Sequence, residues 1–203
     1  MSAGRSYRLS PDRLADMHTR SGVPVYLEHP DRTAILARDL YLHAKGGTRY
    51  NGAPPVTILQ HSVLVAALAE VAGEPSDVVR HAAAHDLAEA VPLGEVVKGL
   101  KRLLPEYKRL EDRWEPRIRR AVGLSYLMPE PIKARVKVHD LRALVCELWW
   151  HGHPILVLHE HRLPTWREKW VTALVLLPLP GWSVLLWWAL CRWLPALRKA
   201  GPL

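Results

Sequence analysis

The sequence predicts an all-α fold, a compact bundle of helices. Apolar residues recur at helical spacing in one segment after another, and no segment shows the alternation of a half-buried strand. Proline and glycine separate these segments, as they do at helix ends. The 203 residues are 49% hydrophobic, which is enough to bury one substantial core. We therefore predict a single domain over residues 31–200, with a polar segment, residues 1–30, packed against it.

Three helices are predicted in the first half of the chain. Asp31 is a suitable cap for the first, which should end at Gly46 and Gly47. The second, from about Val56 to Ala72, is apolar on nearly every side, as expected for a helix buried in a core. The third follows Pro75 and should end at Pro92 and Gly94. The predicted ranges are about 32–46, 56–72 and 76–91.

The second half of the chain predicts further helices. One begins near Pro105 and ends before Gly123, and Pro116 inside it should cause a kink or shorten it. Another runs from about residue 130 to 150. A final apolar pair is divided by Pro178, Pro180 and Gly181, and its last helix spans about residues 182–197.

Composition limits the classes of function. The net charge of +8 suits an anionic partner, but the basic residues are spread over every segment. Cys146 and Cys191 lie in apolar segments and lack CxxC spacing, so we interpret them as core thiols in a reducing compartment. The N-terminus has no apolar core of a signal peptide. These features predict a cytoplasmic protein.

One uncharged stretch, residues 171–191, has the length of a membrane span. Pro178, Pro180 and Gly181 at its middle would break a spanning helix into two short halves. We therefore expect no membrane contact. Attachment of this stretch to a membrane surface is kept as an alternative class of function.

Polar residues on three apolar helices form a candidate metal site. His85 and Asp86 are adjacent, and Glu89 follows one turn later on the same side of the predicted helix. His61 and Asp140 lie on two other apolar helices. Two imidazoles and two carboxylates suit a divalent transition metal. The simpler interpretations are a core histidine at 61, a solvated acid at 89, and an Asp140 that pairs with Lys137 or Arg142.

Three short motifs occur in a characteristic order: QHS at residues 60–62, HDxxEA at 85–90 and HDLRAL at 139–144. In this order they resemble the HD-domain metal-dependent phosphohydrolases, in particular the 5'-deoxynucleotidase-like branch and its bacteriophage relatives. The likeness covers roughly residues 49–148. It implies an HD-domain helical bundle and one divalent ion (Mn, Co, Zn, Fe or Mg) in a bacterial or phage-encoded protein. The implied ligands are His61, His85, Asp86 and Asp140, with Glu89 orienting or deprotonating the attacking water.

The resemblance also implies a substrate-binding group. Arg49 would bind phosphate, Tyr50 would bound the base or sugar pocket, and Lys101 would meet phosphate as a point charge. Taken singly, the basic residues are more typical of a protein surface. The sequence departs from the family where relatives carry a Gly-Asp turn, because here Gly94 precedes a glutamate, which affects how the sugar is held. The whole implied group is Arg49, Tyr50, Glu95, Lys98 and Lys101.

The expected function is removal of phosphate from small nucleotides, most simply as a 5'-deoxyribonucleotidase on deoxynucleoside monophosphates. Two alternatives remain: a deoxynucleoside triphosphate triphosphohydrolase or pyrophosphohydrolase, and a non-catalytic nucleotide-binding HD protein. Ala90 argues against hydrolysis of guanosine tetraphosphate, since relatives with that activity carry an aspartate there. We expect a homo-oligomer and no stable nucleic acid complex. The histidines of the HGH and HEH pairs, between residues 151 and 161, are interpreted as part of a solvated loop.

Overall fold

The computed structural model describes residues 15–52, 54–152 and 162–200. In this part of the chain the fold is all-α, which confirms the predicted fold class. The helices are α1 (Ala37–Gly46), α2 (Ile58–Val71), α3 (Ser76–Ala84), α4 (Lys98–Lys101), α5 (Pro105–Ala121), α6 (Glu130–Trp150), α7 (Trp166–Leu176) and α8 (Trp182–Trp193).

Helix α2 lies at the centre of the bundle. Its first turn is held by a capping box, in which the Thr57 hydroxyl accepts from the Gln60 backbone and the Gln60 side chain accepts from the Thr57 backbone. Apolar residues on nearly all sides allow α1, α3, α6, α7 and α8 to pack around it. His61 therefore lies in the interior, with no exposed surface.

The only strands in the described residues are β1 (Met17–His18) and β2 (Pro24–Val25), a two-stranded antiparallel ribbon that sequence analysis did not predict. The chain around this ribbon contacts the helices. The Thr19 hydroxyl donates to Asp39 of α1 at 2.8 Å, and the Trp114 indole of α5 donates to the Leu27 carbonyl at 2.9 Å.

Several helix bounds differ from the predictions. Helix α1 begins only at Ala37, because Pro30–Arg32 forms a separate 3₁₀ turn. Helix α5 continues through Pro116 to Ala121, so the predicted shortening is wrong. Proline removes one backbone hydrogen bond, and the other bonds of this 17-residue helix maintain it. Helix α8 ends at Trp193, since the following Pro195 begins a 3₁₀ segment.

The last two helices are separated as predicted. Gly181 has a left-handed backbone, with φ of 73°, and lies at the N-terminus of α8. Among the described residues, no helix has the length and apolar character needed to cross a membrane. Cys146 and Cys191 are both buried and free, as expected for core thiols.

Candidate metal centre

Two of the candidate ligands lie where α3 ends. A regular helix was predicted to continue to residue 91, but α3 ends at Ala84, and His85 and Asp86 form a turn. An irregular helical segment, Glu89–Leu93, follows. Val91 has an extended backbone, with φ of −143° and ψ of 126°, because the residue before a proline is disfavoured in helical conformation. His85 itself keeps a helical backbone, so its side chain stays directed as on α3.

Four side chains from α2, α6 and the end of α3 meet at one point. His61 Nε2 lies 3.2 Å from His85 Nε2, 3.3 Å from Asp86 Oδ2 and 3.3 Å from Asp140 Oδ1. His85 Nε2 lies 3.2 Å from Asp86 Oδ1 and 3.8 Å from Asp140 Oδ1. Ligands at ~2.1 Å from a metal are about 3.0 Å apart at right angles and about 3.4 Å apart in a tetrahedron. The spacing of His61, His85 and Asp86 therefore fits neighbouring ligands of one ion, and Asp140 lies beside both imidazoles.

The hydrogen bonds of the two histidines explain why their Nε2 atoms point at each other. His61 Nδ1 lies 2.7 Å from the Glu147 carboxylate, and His85 Nδ1 lies 2.7 Å from the Ala82 carbonyl. Both partners are acceptors, so each Nδ1 carries a proton, and each ring would present an Nε2 lone pair once a metal ion displaces the proton from that atom. Arg49 and Lys137 pair with the two aspartates, and a divalent cation next to the imidazoles would add the positive charge that buried carboxylates favour. His61, His85 and Asp86 together could hold a metal ion.

The pKa values of the cluster also indicate that positive charge is favoured there. Burial lowers the pKa of His85, but Asp86 and Asp140 more than offset this and raise it to about 9. The pKa of Asp86 is well below its usual range, since His85, His61 and Arg49 outweigh the effect of its burial. The pKa of Asp140 is lowered too, against its burial, by hydrogen bonds with both histidines.

A buried network links two of the candidate ligands behind the site. Arg49 Nη1 donates to Asp86 at 2.5 Å, and Arg49 Nη2 donates to the Tyr50 hydroxyl at 3.2 Å. That hydroxyl donates to Glu147 at 2.9 Å, and Glu147 holds His61. Tyr50 has a left-handed backbone, with φ of 53°, which is uncommon outside glycine and costs energy. The network therefore closes a ring from one ligand to another and fixes both side chains.

Two cavities open onto the cluster. One, of about 530 Å³, is lined by Arg49, Tyr50, Glu89, Glu95 and Lys101 among others. The other, of about 650 Å³, lies towards α5 and the start of α6 and includes Met128 and Arg119. Both have volumes typical of small-molecule sites. The residues that they share are Asp86, Glu115, Lys137 and Asp140.

Glu89 is a buried acid on the wall of the first cavity, and not a solvated one at a helix end. Its Oε2 atom has no hydrogen-bond partner among the described residues. Burial, the charge of Asp86 and contact with Glu95 raise its pKa well above the usual range, although Lys101 opposes this. Lys101 is ion-paired with Glu89 and donates to Glu111 at 2.7 Å. The acid is thus held at the cavity wall next to a cation.

The structure brings most of the predicted site residues together. Arg49 is buried and is paired with Asp86, where a surface charge was the simpler interpretation. Asp140 pairs with Lys137, as the alternative proposed, and also reaches both imidazoles. The side chain of Lys98 and residues 153–161, which include most of the HGH and HEH pairs, lie outside the described residues.

Sequence analysis missed two carboxylates, Glu111 and Glu147. Glu147 is fully buried against His61. Its position seven residues after Asp140 places both on one face of α6, and this spacing was an available signal. Glu111 lies on α5 among many other charged residues, and no feature of the neighbouring sequence sets it apart from them.

Comparison with known proteins shows similarity to a bacterial protein. No family model matches the chain. An uncharacterized protein, YfdR of Escherichia coli (strain K12), is 31% identical to it over 122 residues, which is 59% of this chain and 65% of YfdR. The match thus spans just under two thirds of that relative. The chain is similar to a bacterial protein whose own description assigns no activity.

Proposed function

We propose that this protein is a metal-dependent phosphohydrolase of the HD-domain type that removes phosphate from small nucleotides. The observation that carries the proposal is the placement of the metal-donor cluster on a cavity that also contains Arg49, Lys101 and a buried acid, Glu89. Metal donors beside cations and an acid are the groups that phosphate-ester hydrolysis requires. Within this proposal, the preferred substrates are deoxynucleoside monophosphates.

His61, His85, Asp86 and Asp140 would hold the divalent ion. When bound, such an ion supplies a Lewis acid for a phosphoryl oxygen and lowers the pKa of water. Its five candidate identities, Mn, Co, Zn, Fe and Mg, all accept mixed nitrogen and oxygen ligands.

The chain's own residues would carry the remaining steps. Arg49 and Lys101 offset the charge of the phosphate, and each gives up part of its interaction with its carboxylate partner to do so. Glu89 accepts the proton of the water that attacks phosphorus, and the 5'-oxygen leaves as the second bond breaks. The proton held by Glu89 then neutralises that oxygen, so the products are a nucleoside and inorganic phosphate. Tyr50 and Glu95 would bound the sugar, and Lys98 would add positive charge.

The cavity dimensions favour a small substrate. Volumes of about 530 and 650 Å³ suit one nucleotide. We accordingly propose no stable nucleic acid complex, and a cytoplasmic location where such nucleotides occur. Homo-oligomerisation remains a prediction.

The direct test is phosphate release from a panel of deoxy- and ribonucleoside mono- and triphosphates, with Mn²⁺, Co²⁺, Mg²⁺ or EDTA. We expect metal-dependent release from monophosphates by the wild type, and loss of at least about 100-fold in Asp86→Asn and Glu89→Gln. Release of triphosphate or pyrophosphate from the triphosphates would instead support the second enzyme class.

Matched controls separate the site from general effects of charge. Asp31→Asn and Glu106→Gln make the same chemical changes at exposed positions away from both cavities. Both controls should keep full activity. Nucleotide binding without turnover, under every metal condition, would contradict the enzyme proposal and leave the binding-protein alternative.

A further inference from the structure

Helix α7 carries an apolar outer side that the core does not use. On α7, Trp166 and Trp170 are 68% and 65% exposed, and Leu174 follows four residues later on the same side. We call Trp166, Trp170 and Leu174 of α7 the Trp-rich face. Exposed tryptophans grouped in this way mark an interaction site.

The outer surface of α7 is distinct from its packing surface. Thr172, Val175 and Leu176 are buried against the bundle, and the exposed residues occupy the other side of the helix. Helix α7 is thus apolar on both sides, which a helix facing only water has no physical reason to be. Burial of the outer side by a partner would supply that reason.

The helix that carries the face, α7, places two cations next to it, Arg167 and Lys169. Between residues 162 and 200 the sequence has six basic residues, of which Arg192 is paired with Glu70 of α2, and a single acid, Glu168. That acid is already paired with Arg142 and Arg162. The Arg167 guanidinium lies 5.4 Å from the centre of the Trp166 ring, so positive charge adjoins the exposed tryptophans. The partner should therefore combine an apolar layer with negative charge.

We propose that the Trp-rich face binds the surface of an anionic lipid membrane. Tryptophan rings favour the interface between hydrocarbon and headgroups, and basic residues nearby are attracted to anionic headgroups. Helix α7 has 11 residues and is about 16 Å long, roughly half of a hydrocarbon core, so it would lie in the interface without spanning it. This peripheral attachment revises our expectation of no membrane contact and does not depend on the proposed hydrolase activity.

A second copy of the chain fits the face less well. In a symmetric dimer the same surface meets itself, so the Arg167 and Lys169 of both copies would lie at one interface, where the acid of α7, Glu168, is already paired with Arg142 and Arg162. Like charges at the edge of an apolar contact oppose association. An anionic membrane offers both the apolar layer and the negative charge that the face requires.

The test is cosedimentation of the full chain with vesicles of phosphatidylcholine alone or mixed with phosphatidylglycerol. We expect binding to the anionic vesicles, weakened by added salt, with a blue shift of tryptophan fluorescence. Trp166→Ser/Trp170→Ser should abolish binding. Arg167→Gln/Lys169→Gln should weaken it about 25-fold, or about fivefold for each charge removed.

The control is Leu103→Ser/Leu127→Ser, which removes two exposed leucines outside the face and should bind as the wild type does. All substituted positions are exposed, and thermal unfolding verifies that each variant folds. Three results would overturn the proposal: no binding to anionic vesicles, equal binding to both vesicle types, or a dimer that Trp166→Ser/Trp170→Ser dissociates while vesicles remain unbound. Phosphate release measured without lipid tests the hydrolase separately.

Discussion

Glu147 should determine how tightly the cluster binds metal, although it is not a ligand. Its carboxylate accepts from His61 Nδ1 at 2.7 Å and from the Tyr50 hydroxyl at 2.9 Å, with no exposed surface. In Glu147→Gln the shape is kept and the charge is lost, so His61 becomes a weaker base and is less firmly oriented. Substitution of such a supporting group costs about 10- to 100-fold in metal affinity. That loss corresponds to about 1.4 to 2.7 kcal/mol.

Calorimetric titration with Mn²⁺ measures this loss directly. The matched control is Glu168→Gln, which also removes a buried, ion-paired carboxylate but lies on α7 near Arg142 and Arg162. The control should lose stability and keep its metal affinity. Glu147→Asp, which retains the charge, should recover part of the affinity. A Glu147→Gln variant that binds Mn²⁺ as tightly as the wild type would refute the argument.

Three further predictions concern stability and thiol chemistry. Burial raises the pKa of Glu168, but hydrogen bonds from two arginines and Thr165 outweigh it and lower the pKa below 4.5. Its contribution to the free energy of unfolding is therefore present at neutral pH and lost as the pH falls below about 4.5. In denaturant titrations, the difference in unfolding free energy between the wild type and Glu168→Gln should be about 2 kcal/mol at pH 7 and should narrow towards pH 3. A difference that stays constant with pH would count against the ion pair. Thr57→Ala removes the cap of α2 and should cost about 1 kcal/mol of unfolding free energy, measured likewise, whereas an unchanged value would show that the cap is dispensable. Burial raises the pKa of both Cys146 and Cys191 to about 11, so a thiol reagent should label neither in the native protein at pH 8 and both after denaturation.

The helices were largely predictable because their signals are local. Pro129 and Pro131, with the apolar spacing that follows them, predict α6 closely, and it spans Glu130–Trp150 in the structure. The irregular segment after Ala84 was not predicted. Its cause, Pro92 acting on Val91, was visible in the sequence, but the point at which the preceding helix loses regularity depends on packing.

The candidate site was predictable only in part. His61, His85, Asp86 and Asp140 attract notice because polar residues on apolar helices need partners. Glu147 shares a face of α6 with Asp140, but a glutamate near the end of a long helix is most often solvated, so this spacing alone does not show that it is buried. Its burial depends on contacts with α2 and with the loop before it, and these arise only when the chain folds.

The pairing of Arg49 with Asp86 likewise arises only when the chain folds. The two residues are 37 positions apart, and no local pattern connects them. Motif order identified both as site residues, yet it could not show that the arginine contacts a candidate ligand in the absence of substrate. Tertiary contacts of this kind set the orientation of the ligands, and sequence patterns set only their identity.

The central claim is that His61, His85, Asp86 and Asp140 form one metal centre. Its most direct test is anomalous X-ray diffraction from crystals grown with Mn²⁺. The account predicts a peak at about 2.0 to 2.3 Å from both Nε2 atoms and from an oxygen of each aspartate, and loss of the peak in Asp86→Asn. A peak elsewhere, or a saturated crystal with no peak between the two histidines, would contradict it.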